Sequence, residues 1–195
     1  MPDSGQADFV RTFVALEVPP GVKEQIGRAQ QEWSRHTRAR ISWTRTAGIH
    51  LTLAFLGDVE RKRVENIGKT LKLVAAHHPP ITIDTAQTGA FPDWRRPRVI
   101  WWGVDGKDAL MVLQQDVIKT LREAGFELEE RFHPHLTIAR VKSVGRDDDL
   151  PARARAHTFE PSQWTAKELF VMSSLLKPGG AEYGVLAALP LGGSR

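Results

Sequence analysis

Apolar residues recur along this chain in two rhythms, every second position or every third and fourth, and the rhythms alternate. In RTFVALEV (11–18), Phe13 and Ala15 fall on one face and Thr12, Val14 and Leu16 on the other, as in a strand. PPGVKEQIGRAQQEWSRH then places Val22, Ile26, Ala29 and Trp33 at helical spacing, with Pro20 suited to a first turn. IHLTLAFLG (49–57) predicts a strand closed by Gly57. ERKRVENIGKTLKLVAAHH (60–78) predicts a helix through Val64, Ile67, Leu71 and Val74, stopped by Pro79.

ITIDT (81–85) and RVIWWGV (98–104) read as strands, and HLTIARV (135–141) as another. Between them, KDALMVLQQDVIKTLREAG (107–125) is the clearest helix, with Leu110, Leu113, Val117 and Leu121 in one stripe and Gly125 as its stop. Residues 143–164 are charged and Pro-bearing and read as a surface connection. ELFVMSSLL (168–176) and YGVLAALPL (183–191) are late strands joined by KPGGAE, a hairpin turn. Residues 1–8 and 192–195 are expected to be flexible tails.

One phrase occurs twice. GIHLTLAFLG (48–57) and FHPHLTIAR (132–140) both carry His-Leu-Thr, an aliphatic residue and Ala. Each follows a strand and a helix. Phe13 to His50 spans 37 positions, and Ile100 to His135 spans 35. Internal duplication is the economical explanation. It predicts one bilobal domain over 1–195, with repeat units near 10–58 and 98–142 related by a pseudo-twofold axis.

Strand alternation puts His50, Thr52 and Ala54 on one face, with Leu51, Leu53 and Phe55 opposite. It likewise puts His135, Thr137 and Ala139 against Leu136 and Ile138. Two such faces across a cleft offer two imidazoles and two hydroxyls to one ligand. That set suits a phosphate ester, because in-line displacement needs a base behind the nucleophile and an acid behind the leaving oxygen. Threonine hydroxyls can hold the non-bridging oxygens.

Composition narrows the setting. The 195 residues include no cysteine, which excludes disulfides, thiolate metal sites and cysteine nucleophiles and suits a cytoplasmic location. The N-terminus lacks the basic start and apolar run of a secretory signal, and no apolar stretch approaches the roughly 20 residues of a membrane helix. The net charge of +4 favours an anionic partner such as phosphate or nucleic acid.

The paired His-x-Thr motifs, the opening RTFVAL, the HLTLAFLGDV and HPHLTIAR contexts and the late SSLLKPGGAEYGVL resemble the 2H phosphoesterase superfamily. The similarity runs from about residue 10 to 191 and is greatest to RNA 2′,3′-cyclic phosphodiesterases, also called 2′-5′ RNA ligases. It implies an α+β fold in which antiparallel sheets from two lobes line a central cleft, with helices packed outside. It implies that His50 is the proton donor, His135 the proton acceptor, and Thr52 and Thr137 the phosphate binders. It further implies a phosphate-binding Arg140 and a substrate-lining Phe13. Simple alternation puts Arg140 opposite His135, so Arg140 reaches the phosphate only if the strand ends or bulges there. The implied partner is RNA with a 2′,3′-cyclic phosphate end, or a small cyclic nucleotide. No cofactor is expected, no metal is required if a histidine acid stabilises the leaving group, and nothing in the sequence suggests an obligate dimer, so a monomer is expected. That the 3′ oxygen leaves, giving a 2′-phosphate, also comes from the resemblance.

Other features have plainer explanations. His133 and His135 could suggest a metal pair, but no second cluster of matching spacing accompanies them. His77 and His78 suit a helix C-terminus. FPDWRRPRVIWW (91–102) could hold RNA with arginines and aromatics, yet reads mostly as a turn leading into a core strand, with at least one of Trp101 and Trp102 buried. RDDDLPARARA reads as a solvated loop. Two alternatives to hydrolysis stay open. One is reversible 2′-5′ ligation at the same site, without a nucleotidyl-lysine motif to drive it. The other is a non-catalytic nucleotide-binding module.

Overall fold

The predicted stripes of the first and third helices become buried ones, whereas in the second Ile67 and Leu71 are buried and Val64 and Val74 only half-buried. A computed structural model describes residues 8–129, 131–177 and 180–193. Strand β1 (Phe9–Leu16) leads to helix α1 (Pro20–His36), which buries Val22, Ile26, Ala29 and Trp33. Next come β2 (Arg40–Trp43), a 3-10 turn (Thr46–Gly48), β3 (Leu51–Glu60) and α2 (Arg61–His77). β4 (Ile81–Phe91) and β5 (Val99–Asp105) precede α3 (Lys107–Glu123), which buries Leu110, Leu113, Val117 and Leu121. Gly125, at φ +85°, ends that helix in the left-handed region a side chain disfavours. The chain closes with β6 (His135–Ser143), α4 (Leu150–Ala156), β7 (Gln163–Ala166), β8 (Glu168–Lys177) and β9 (Gly180–Pro190).

The strands form two antiparallel sheets. The first has the order β3-β1-β8-β9, the second β2-β6-β5-β4-β7. They line a central cleft with the helices outside, the expected α+β architecture. The helices trade places. α1 follows β1 of the first sheet yet packs with α4 behind the second, while α3 follows β5 of the second sheet yet packs with α2 behind the first. Trp33 and Trp102, both fully buried, anchor a core that runs between the layers.

Several expectations need correcting. Gly57 does not close its strand: it adopts φ +72° inside β3, which runs on to Glu60. Phe55 is not on the core face. The β1–β3 register skips Leu53, pairing Val14 with Ala54 and Ala15 with Thr52. That bulge reverses the alternation, so Phe55 shares the cleft face with Thr52 and Phe13 and is 48% exposed, while Ala54 enters the core.

Residues 143–164 are not merely a surface connection. Leu150 and Ala154 of α4 are buried, and Phe159 stacks on Trp102 at 4.0 Å. Asp148 starts that turn by accepting the Leu150 N–H at 3.0 Å and the Thr37 hydroxyl at 2.8 Å. Thus the LPARARA part of RDDDLPARARA is a short helix, with Pro151 in its first turn. The segment 40–43 forms an unpredicted edge strand beside β6.

The C-terminus is partly tied down. Gly192 and Gly193, expected to fray, donate to the carbonyls of Ala75 and His78. Asp8 accepts the Arg61 N–H and pairs with its guanidinium. The remaining tail positions (1–7, 194–195) and Pro178–Gly179 of the predicted hairpin turn lie outside the described residues.

Candidate active site

The two motif strands, β3 and β6, belong to different sheets yet approach within 8 Å between Cα atoms. At the head of each stands a histidine held in the same way. His50 Nδ1 lies 3.0 Å from the Gly48 carbonyl, and His135 Nδ1 lies 2.7 Å from the His133 carbonyl. A carbonyl can only accept, so each Nδ1 carries the proton and each Nε2 is left for chemistry.

Thr52 pairs across the sheet with Ala15, and Thr137 with Trp101, so both hydroxyls emerge on the cleft faces. The β5–β6 register skips Ile138, pairing Ile100 with Ala139 and Val99 with Arg140. This bulge mirrors the one at Leu53. It turns exposed Arg140 onto the face of Thr137 and His135, the condition its candidacy required.

Both bulge carbonyls are held by a glutamine from the traded helix. Gln30 of α1 donates to the Ile138 carbonyl at 2.9 Å and to the Thr44 carbonyl at 2.7 Å. Gln114 of α3, 4% exposed, donates to the Leu53 carbonyl at 3.5 Å.

Aromatic rings surround the imidazoles, and here the halves differ. His50 meets Phe13 at 5.9 Å and Tyr183 at 5.4 Å between ring centroids. Phe13 is 4% exposed, so it supports the imidazole more than it lines open space. Tyr183 lies against Gly48, where an added Cβ would stand 2.3 Å from its ring. His135 instead meets Phe91 at 5.1 Å and Trp101 at 6.0 Å. Phe91, Trp101 and His133 also pack one another, with Trp101 lying flat over Gly89.

Burial pushes both imidazoles below their ordinary pKa. The neighbouring charges differ. Lys23 lowers His50 further, while the Gly48 hydrogen bond and Glu17 pull it back up. For His135 the His133 hydrogen bond raises the value, but the two neighbouring charges, His133 and Arg140, both lower it.

The chain matches known proteins over most of its length. The model of the LigT-like phosphoesterases matches residues 16–101 and 104–183. The chain belongs to the LigT-like phosphoesterase family. A Thermotoga maritima protein named RNA 2′,3′-cyclic phosphodiesterase is 32% identical over 91% of this chain and 93% of its own. A Methanocaldococcus jannaschii protein of the same name is 29% identical over 91% and 98%. Among solved structures, one from Thermus thermophilus superposes with a TM-score of 0.77 at 24% identity, covering 95% of this chain and all of that one. Escherichia coli LigT complexed with 3′-AMP gives 0.71 at 24%, covering 94% and 99%. These last two show a shared fold.

The sequence of this LigT-like phosphoesterase hid several residues of the site. Tyr183, the single tyrosine, comes from β9 and reaches His50 only through the sheet's curl. Phe91 and His133 carry no motif of their own. The two tryptophans of WW split as alternation requires: Trp102 is buried and donates to the Ala86 carbonyl at 2.7 Å, while Trp101 faces His135. Trp94 packs on the core, and Arg95 and Arg96 are exposed, their N–H groups bound by Asp93. His77 and His78 take structural partners, the Leu73 carbonyl and the Asp116 carboxylate.

Among the described residues, no group of three or more His, Asp or Glu side chains stands together as a metal site. None of their helices is long and apolar enough to cross a membrane. A groove of about 400 Å³ between α2 and β9, lined by Val64, Gly68, Leu186 and Ala187 with the Glu65–Lys69 ion pair at its side, contains no histidine.

Proposed function

We propose that this protein opens terminal 2′,3′-cyclic phosphates on RNA to 2′-phosphomonoesters by acid–base catalysis between His50 and His135, without a metal. The supporting observation is the pair of imidazoles, each locked by an i−2 carbonyl so that Nε2 faces the cleft. The relatives named RNA 2′,3′-cyclic phosphodiesterase supply the substrate class.

In this reading His135 Nε2 takes a proton from water as its oxygen attacks phosphorus. The bond to the 3′ oxygen breaks, that oxygen keeps the electron pair, and His50 gives it a proton. Thr52, Thr137 and Arg140 hold the non-bridging oxygens, whose negative charge favours charge-assisted bonds. The neighbours of His135, Arg140 and His133, favour its neutral, accepting form, whereas beside His50 Lys23 opposes the protonated form and Glu17 favours it. The donor set among the described residues gives no cluster to hold a metal, and an imidazolium acid stabilises the leaving oxygen directly.

The test is a short RNA ending in a 2′,3′-cyclic phosphate, incubated with EDTA-treated protein, with the 2′- and 3′-phosphate products resolved. A 2′-phosphate product that disappears in His50→Ala and His135→Ala is expected. A 3′-phosphate would reverse the leaving oxygen. Losses under threefold in both variants would sink the two-histidine mechanism.

A further inference from the structure

The asymmetry of the two walls has a direction once the chemistry above is assigned. In a 2′,3′-cyclic phosphate both ring oxygens belong to the ribose. Water attacks phosphorus opposite the 3′ oxygen that His50 protonates, while the ribose keeps the phosphate through its 2′ oxygen, so the ribose stands away from the side where water enters. The nucleoside and the RNA leading to it therefore lie on the His50 side, along the cleft face of the first sheet. The His135 side has to admit only water, and there Phe91, Trp101 and His133 turn their rings onto one another.

On the first sheet that face continues outward past Phe13. Phe13 pairs across the strands with Phe55, and β1 alternation puts Arg11 on the same side. The Arg11 guanidinium lies over the Phe55 ring, 4.7 Å from its centroid. Phe55 is nonetheless 48% exposed, unusual for an aromatic beside a fully packed strand. It stands three residues along β3 from Thr52, roughly 10 Å at strand rise, within reach of a nucleotide next to a bound terminal phosphate. Asp58 pairs opposite Arg11 across the strands, so the local charge is balanced. The pair thus offers a flat aromatic and cationic surface rather than a phosphate clamp. Such surfaces stack nucleobases with little regard to sequence.

We propose that Arg11 and Phe55 form a stacking subsite for the base that precedes the cyclic end. The subsite makes single-stranded oligonucleotides better substrates than cyclic mononucleotides. It rests on the phosphodiesterase reading above for its orientation.

The experiment compares kcat/KM for adenosine 2′,3′-cyclic phosphate and for the dinucleotide ApA ending in a 2′,3′-cyclic phosphate. Wild type, Phe55→Ala, Phe55→Leu and Arg11→Lys are measured, with thermal melting to verify folding. Wild type should prefer the dinucleotide at least about tenfold. Phe55→Ala should lower the dinucleotide value about 5- to 100-fold and leave the mononucleotide within about twofold. Phe55→Leu keeps apolar bulk without a π face and should lose nearly as much. Arg11→Lys keeps charge without a planar fork and should lose less. An unchanged dinucleotide preference in Phe55→Ala, or equal losses on both substrates, would overturn the subsite. Should wild type turn over neither substrate, titration with ApA 2′-phosphate and with 2′-AMP separates the two ideas. Tighter ApA 2′-phosphate binding that Phe55→Ala abolishes would keep the subsite while the phosphodiesterase reading fell; equal affinities would overturn the subsite too.

Discussion

The wall that carries His50 and the wall that carries His135 begin as the same phrase and end as different surfaces. Both strands bulge one residue after the threonine, at Leu53 and at Ile138. Both bulges hand the cleft the residue after the alanine. On β3 that residue is Phe55, and on β6 it is Arg140. A single backbone device, used twice, delivers an aromatic platform to one side and a cation to the other. In the proposed mechanism pseudo-symmetry supplies the paired acid and base, while the side chains at the repeated offset make the two walls unlike. A symmetric pair of imidazoles could run either way; in the proposed mechanism the charges beside His135 favour its neutral form, whereas Lys23 and Glu17 act on His50 in opposite senses.

The comparison breaks most sharply at the histidines. His50→Ala and His135→Ala should each reduce turnover by about two to four orders of magnitude. Their pH profiles should differ: losing the acid removes the alkaline limb, and losing the base removes the acid limb. Arg140→Ala should follow with about a 10- to 100-fold loss on every substrate, because a hydrogen bond from a charged group is removed. The matching change at Phe55 should spare the mononucleotide, so steady-state kinetics on two substrates tells the bulge partners apart.

The glutamines come next. Gln30→Ala and Gln114→Ala each strip a donor from a bulge carbonyl and should cost about 1–3 kcal/mol in denaturant unfolding. Gln30→Ala should also weaken phosphate binding through Arg140, whereas Gln114→Ala should disturb the Phe55 face.

The smallest effects lie in the pH profile of kcat/KM. The rate rises as His135 loses its proton and falls as His50 loses its own. Both values are depressed by burial, so the free-enzyme optimum should lie below about pH 6.5. Lys23→Gln removes a charge that lowers His50 and should move the alkaline limb up. Glu17→Gln should move it down. A limb that ignores both changes would mean His50 is not the group titrating there.

What the sequence made legible was whatever repeats or alternates. The stripes of α1 and α3, the two histidines and the two threonines follow from spacing alone. Residues 150–156 leave little trace because a seven-residue helix buries only Leu150 and Ala154, too few to show a period. Phe55 is misplaced by alternation because alternation assumes an unbroken register, and a bulge leaves no mark in composition. Tyr183 carries no local signal because its neighbour His50 lies 133 residues away in sequence (183 − 50), and only the sheet order β3-β1-β8-β9 brings them together.

That sheet order also sets a timetable. β1 leaves the ribosome before the other described strands, yet it lies in the interior of its sheet, between β3 and β8. Val14 can pair with Ala54 early in synthesis but must wait for Val171. Until the final hairpin emerges, one edge of β1 carries unpaired backbone groups beside Phe13 and Ala15, a template for any other extended chain. The wall that holds His50 is therefore finished after the wall that holds His135, whose strands all precede β8. A nascent chain stalled before residue 168 should be a client for chaperones rather than a slow enzyme.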